Sequence, residues 1–271
     1  MRYRYCLTLP LILVCLLMSA VSGQESNEGI DPEVIIDRIL TVDLEQRRQI
    51  KDVTFDAEYV EGEEKDGEFQ EKVRFDKKVY IKYFEDTAWY HEEYIAYYKD
   101  GELKSQEDLR KQARERKEKK QKRKTRDISF PMITPFYPDE RQFYEIEYVG
   151  VTEEPIDGYI CHQFRVTSKE EDPDRINGDY YFDADSFHLV RVDFSPAKLV
   201  KKAVFKMQEL NMSVRYGPTP DDVWLPRQFD IEGRGKAMFL FGVKFAGTEY
   251  YRNPIINTGL KDELFEVNDD E

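Results

Sequence analysis

The feature that most limits the fold of this chain is an alternation of apolar and polar residues with a period of two. It recurs in run after run, and tight-turn signals separate the runs. Val53, Phe55, Ala57 and Tyr59 interleave with Thr54, Asp56 and Glu58, so one set lies on each face of an extended strand. Runs of the same character cover 69–75, 79–84, 89–98, 143–149, 159–167, 180–183, 189–194, 204–216, 224–231 and 236–251. Lys65-Asp66-Gly67, Lys99-Asp100-Gly101, residues 155–158 and Asn177-Gly178 read as turns between them. The 18 Tyr and 17 Phe recur inside these runs, where a pleated surface accommodates them. About ten strands joined by short turns predict a mainly β chain with a few helices, its antiparallel sheet strongly curved or closed.

Residues 31–44 read as a helix that precedes the strands. Asp31 suits the N-cap and Pro32 the first helical position. Ile35, Ile36, Ile39, Leu40 and Val42 fall on one face, with Asp37, Arg38 and Thr41 opposite. Upstream, Arg2 and Arg4 precede an apolar stretch over 11–18 and the small residues Ser19, Ala20, Ser22 and Gly23. That order is the pattern of a cleaved secretion signal over 1–23, and the stretch is too short to span a bilayer. Val14 is too bulky for a lipid-attachment site at Cys15, so a lipid anchor is not expected. Removal of the signal takes Cys6 and Cys15 with it and leaves Cys161 alone. An exported protein of this kind holds itself together without an internal disulfide. The expectation is one domain over 24–271 in a compartment such as a bacterial periplasm.

Residues 104–126, which open on Lys104 and close on Arg126, hold 12 basic and 4 acidic residues and almost nothing apolar. Few helix breakers interrupt them, and Glu107 and Lys111 stand at the i,i+4 spacing that supports a helix. A basic, helical insertion is therefore expected. It either docks on an acidic partner, such as a membrane protein or an anionic surface, or is simply solvated. The chain as a whole carries 41 Lys plus Arg against 55 Asp plus Glu, a net charge of −14. That balance opposes nucleic-acid binding, which needs phosphate neutralisation.

Catalytic patterns are missing from the sequence. His91, His162 and His188 are far apart and form no metal-ligand pair of the H-E-x-x-H kind. Cys161 and His162 are neighbours on a strand and face opposite ways, as a buried thiol beside a surface histidine. The acidic run Asp172, Asp174, Asn177 and Asp179 is out of register with a calcium loop and reads as a polar hairpin tip. No P-loop, G-x-S-x-G or dinucleotide fingerprint occurs. The expectation is a protein with no cofactor, no metal and no enzymatic activity.

Several stretches resemble the periplasmic outer-membrane lipoprotein carrier family (LolA-like, lipoprotein-sorting proteins). They are the N-terminal helix running into Val53–Tyr59, and Tyr98-Lys99-Asp100-Gly101. Two more are Gly178–Asp183 followed by Leu189-Val190-Arg191, and an ending with Tyr250-Tyr251, Asn257, Gly259-Leu260, Asp262 and Phe265. The chain departs from the family at Phe75-Asp76-Lys77-Lys78, where the family has an R-P-x-x-x-x-W-like stretch, and in its basic insertion.

The resemblance implies an incomplete β-barrel with helices across its mouth and a cavity for the acyl chains of lipoproteins or other lipids. Under that reading Val53, Phe55, Ala57, Tyr59, Val73, Phe75, Phe239, Phe241, Val243 and Phe245 face the cavity. The alternative for each is core packing of the helix against the sheet. Met207, Met212 and Met238 would lend the wall adaptability. A second expectation is an envelope interaction or sensor module that contacts a protein partner through the basic segment.

Overall fold

The computed structural model describes residues 31–65, 68–84, 88–122, 133–199, 201–202, 205–237 and 241–265. The signal-like segment, residues 123–132 and Met238 and Phe239 lie outside them. Residues 1–31 and 32–271 form separate units, and the second is described here.

Helix α1 (Pro32–Gln49) leads into β1 (Asp52–Lys65), β2 (Glu68–Tyr83), β3 (Ala88–Lys99) and β4 (Glu102–Leu103). Helix α2 (Gln106–Lys122), a 3-10 turn (Thr134–Phe136) and the short α3 (Pro138–Arg141) follow. The chain then forms β5 (Tyr144–Val151), β6 (Cys161–Ser168), β7 (Ile176–Asp183), β8 (Leu189–Pro196), β9 (Lys201–Lys202), β10 (Phe205–Pro218), β11 (Trp224–Ala237) and β12 (Phe241–Ile256). All twelve strands join one sheet in the order β4-β3-β2-β1-β12-β11-β10-β8-β7-β6-β5, with β9 beside β10. Every pairing is antiparallel. Among the described residues the edge strands β4 and β5 do not pair with each other, so the barrel is incomplete, as the resemblance implies.

Helix α1 buries Ile35, Ile36 and Ile39 against Phe164, Val166, Tyr180, Phe182, Val190 and Val192 of β6, β7 and β8. It runs five residues past the expected end at 44 because polar contacts take over. Asp43 accepts from Arg47 Nε at 2.8 Å, the i,i+4 geometry that supports a helix. Gln46 donates to Trp224 O at 2.9 Å and accepts from the Trp224 N–H at 3.0 Å, which pins the helix to the start of β11. Phe136 enters the same core from the 3-10 turn. Its ring meets Phe164, Tyr180 and Phe182 edge-on, with centroids 5.6, 5.1 and 5.3 Å away. The turn is preset by Pro135 at its start.

The quoted motifs acquire physical roles. Asp100 (φ 52°) and Gly101 (φ 80°) make the tight turn from β3 to β4, both in the left-handed region that such hairpins require. Buried Asp52 accepts the N–H groups of Thr258 and Gly259 at 2.8 and 3.0 Å. Asn257 accepts from Lys51 N–H at 2.7 Å and donates to Gln49 O at 2.8 Å. The C-terminal segment thereby clasps the junction of α1 and β1.

Three readings need correction. Residues 69–75 and 79–84 form one continuous strand, because Lys77 is not at a break but on the buried face. Asn177-Gly178 is not a turn. It lies within β7, where a Cβ on Gly178 would come 2.5 Å from Asp193 O of β8. His162 is not at the surface. It is buried, stacks on Phe187 at 5.6 Å and shares a 3.0 Å hydrogen bond with the Tyr148 hydroxyl.

Candidate binding wall beneath helix α2

The sheet face toward α1 divides into packed regions. Under α1 the space is filled by the molecule's own side chains. A pocket of about 20 Å³ between Ile39, Phe182, His188 and Trp224 remains there, enough for a water and not for a hydrocarbon tail. Val53, Phe55 and Ala57 lie in a second buried cluster with Ile50, Val79, Ile81, Val223 and Leu225. Tyr59, Val73 and Phe75 belong to a third, with Tyr94, Tyr97 and Leu109. Phe245 is half-buried, and a Cβ on Gly233 of β11 would come 2.6 Å from its ring. Phe239 lies outside the described residues, as do the side chains of Phe241 and Val243. The structure thus brings Tyr59, Val73 and Phe75 together and puts Val53, Phe55 and Ala57 in a separate cluster.

The third cluster is an aromatic wall. Phe75 stacks on Tyr97 at 4.9 Å and meets Tyr94 edge-on at 5.3 Å. Its cover is α2, which starts where the Ser105 hydroxyl accepts the Asp108 N–H at 3.1 Å. Leu109, Gln112, Ala113 and Arg116 are its more buried positions, at helical spacing, whereas Arg110, Lys111, Arg114 and Lys117 are exposed. Leu109 is the fully buried apolar side chain among the described residues of this helix.

Arg116 supplies the rest of the cover. Its guanidinium lies 4.5 Å from the Phe75 ring centre and 5.1 Å from that of Tyr59. It also donates to Glu61 Oε2 at 3.0 Å. Tyr59 donates to the same carboxylate at 3.1 Å. Burial, with Glu61 beside it, pushes the Tyr59 hydroxyl up to about 12.

A buried ionic cluster closes one end of the wall. Lys77 of β2 is 4% exposed. Its Nζ donates to Glu92 Oε1 of β3 and lies 2.9 Å from Glu249 Oε1 of β12. Tyr90 and Tyr94 donate to Glu92 at 2.9 and 3.0 Å. Burial pulls the Lys77 ammonium down, but the two carboxylates outweigh it and hold its pKa above the ordinary 10.5. The sequence reading missed Lys77, Glu92, Glu249 and Arg116. The signal for them is Tyr90-x-Glu92-x-Tyr94, an acid placed in phase with buried aromatics on one strand face.

The opposite face of the sheet carries a groove of about 740 Å³ across β6 to β12. Its arginines are already paired: Arg165 with Asp179 at 3.1 Å, Arg191 with Asp193 at 2.8 Å, and Arg215 with Asp230 at 3.0 Å. Such a lining suits water and polar groups, not acyl chains. Cys161 is fully buried, and burial followed by Asp183 raises its thiol to about 12, far from a reactive thiolate. Among the described residues no group of three or more His, Cys, Asp or Glu could hold a metal ion. Among them, too, no helix is long and apolar enough to cross a membrane.

The family model described as "Family of unknown function (DUF5686)" matches residues 46–253. No curated protein matches the sequence. The fold is similar to that of a DUF1329 family protein from Desulfovibrio piger, with 14% identity and a TM-score of 0.47 over 88% of this chain and 98% of that one. It is also similar to a putative outer membrane lipoprotein-sorting protein domain from Vibrio parahaemolyticus, with 11% identity and a TM-score of 0.39 over 85% and 97%. A LolA superfamily protein from Nitrosomonas europaea gives 8% identity and a TM-score of 0.36 over 88% and 99%.

Proposed function

This chain belongs to DUF5686, a family of unknown function, and we propose that it is a non-enzymatic carrier that shelters the acyl chain of a lipoprotein or other lipid in the periplasm. The observation that carries the reading is the mismatch between the wall and its cover. Tyr59, Val73, Phe75, Tyr94 and Tyr97 make a continuous apolar surface, and a helix rich in charge lies over it with Leu109 as its buried anchor. A hydrocarbon tail is a better partner for such a surface than α2 is, at about 0.8 kcal/mol per methylene withdrawn from water. Displacement of α2 would admit the tail while α1 and its core stay in place. The proposal extends to Phe239, along β12 to Phe241, Val243 and Phe245, and along β1 to Val53, Phe55 and Ala57.

Native mass spectrometry of protein offered a palmitoylated peptide or phospholipid tests this. A bound adduct that Phe75→Ala and Tyr97→Ala both weaken is the expected result. Protein that stays empty under those conditions would overturn the reading.

The exposed basic face of α2, with Arg110, Lys111, Arg114 and Lys117, favours a second reading, an interaction module that captures an acidic protein partner. Reversing those four charges would then abolish capture and leave lipid uptake intact.

A further inference from the structure

Arg116 occupies a site that is built for a cation. Its guanidinium is held by one carboxylate, Glu61 at 3.0 Å, and faces two aromatic rings, Tyr59 at 5.1 Å and Phe75 at 4.5 Å. Carboxylate plus aromatic faces is the general chemistry by which proteins hold ammonium and guanidinium groups. The neighbouring ionic cluster has the same bias. Lys77 Nζ lies 5.7 Å from the centre of the Tyr59 ring and 5.9 Å from that of Tyr94, and it meets both Glu92 and Glu249.

With α2 seated, Arg116 pairs with Glu61 on the wall. When α2 leaves the wall, Arg116 leaves with it. Glu61 then keeps its charge beside Tyr59 and Phe75 without that partner. An anionic head would meet the Glu61 carboxylate as a like charge, whereas a cationic head would restore the pairing that Arg116 provides in the seated state. The buried ion cluster is also hard to explain by stability alone, because well-packed apolar residues would serve a core as well or better.

We propose that the wall beneath α2 binds amphiphiles whose head is cationic, a primary or quaternary ammonium, and that Arg116 is the intramolecular stand-in for that head. This rests on the carrier reading and specifies its cargo. Tail and head are assigned to different residues: the tail lies on Phe75, Tyr97 and Val73, and the head sits at Glu61 and Tyr59, next to Glu92 and Glu249.

Three probes with one tail and three heads separate the two claims: hexadecylamine, hexadecanol and hexadecanoate, each below its micellar concentration at neutral pH. Competition against a bound fluorescent lipid reads the affinities. The amine is expected to bind at least about tenfold more tightly than the acid, with the alcohol between them. Arg116→Ala, which vacates the head site, is expected to tighten amine binding. Glu61→Gln is expected to weaken the amine and leave the alcohol unchanged. If no probe binds, the carrier reading itself falls. If the tails bind but the acid equals or exceeds the amine, or if Arg116→Ala weakens the amine, the head assignment falls and the carrier reading stands.

Discussion

Replacing Lys77 with Met tests the buried ion cluster most directly. Methionine keeps most of the volume and the apolar stem, so packing against Tyr59 and Tyr94 is largely retained. What changes is the charge: Glu92 and Glu249, 2.9 Å or less from the lost ammonium, are left together in a buried site. Breaking such a pair by removing one partner costs about 3–5 kcal/mol, because the remaining charge is uncompensated. For a chain of this size each kcal/mol corresponds to roughly 2–4 °C, so Tm should fall by about 6–20 °C. Urea denaturation would report a lower midpoint at unchanged slope. The companion variant Lys77→Met/Glu92→Gln/Glu249→Gln removes the stranded charges and keeps an acceptor for Tyr90 and Tyr94. It should recover most of the loss. The reasoning is refuted if Lys77→Met stays within about 1 kcal/mol of the parent, or if the triple variant is less stable than the single one.

Phe136→Ala should destabilise by about 3–5 kcal/mol in the same denaturation assay, since three edge-on ring contacts and the filling of the α1 core are lost together. A change below about 1 kcal/mol would mean that the plug is not seated as described. Cys161 should resist iodoacetamide at neutral pH in the native protein and react once urea is added, as a thiol raised to about 12 by burial requires. Mass spectrometry counts the adduct, and rapid native labelling would contradict the burial. His91, His162 and His188 are each held below the ordinary 6.5, in every case first by burial. The unfolded chain therefore binds more protons in the window below pH 6.5, and stability must fall as pH drops through it. Thermal melts at successive pH values should show Tm declining on that side, and a flat profile would refute the assignment.

The strands and the leading helix are legible in the sequence because their periods are clean. Val53 to Tyr59 alternates without a break, and Ile35, Ile36 and Ile39 mark one helical face. The places where reading fails share a cause, which is a polar or turn-prone residue used against its usual preference. Lys77 interrupts an apolar run and so resembles a break, yet β3 and β12 bring to it the carboxylates that make its burial tolerable. Asn177-Gly178 has the composition of a turn, but the missing side chain of Gly178 is used for close approach to β8. Arg116 is one of many basic residues in its helix. Only the spacing from Leu109 through Gln112 and Ala113 distinguishes it as inward-facing. The neighbourhood of β1 and β12 is a long-range pairing, and no local pattern encodes it.

That pairing has a consequence for how the molecule is made. Growing from β1 toward β4, the first hairpins leave one flank of β1 with bare amide and carbonyl groups, and the later strands from β5 to β11 pair only among themselves. β12 is the stitch between these two ribbons, and it follows both of them in the chain. Until it arrives, each ribbon presents an open margin to any other extended polypeptide nearby, so maturation is limited by a late, non-local docking step. A chain stalled before β12 would be a hazard to its neighbours rather than a smaller working version of itself.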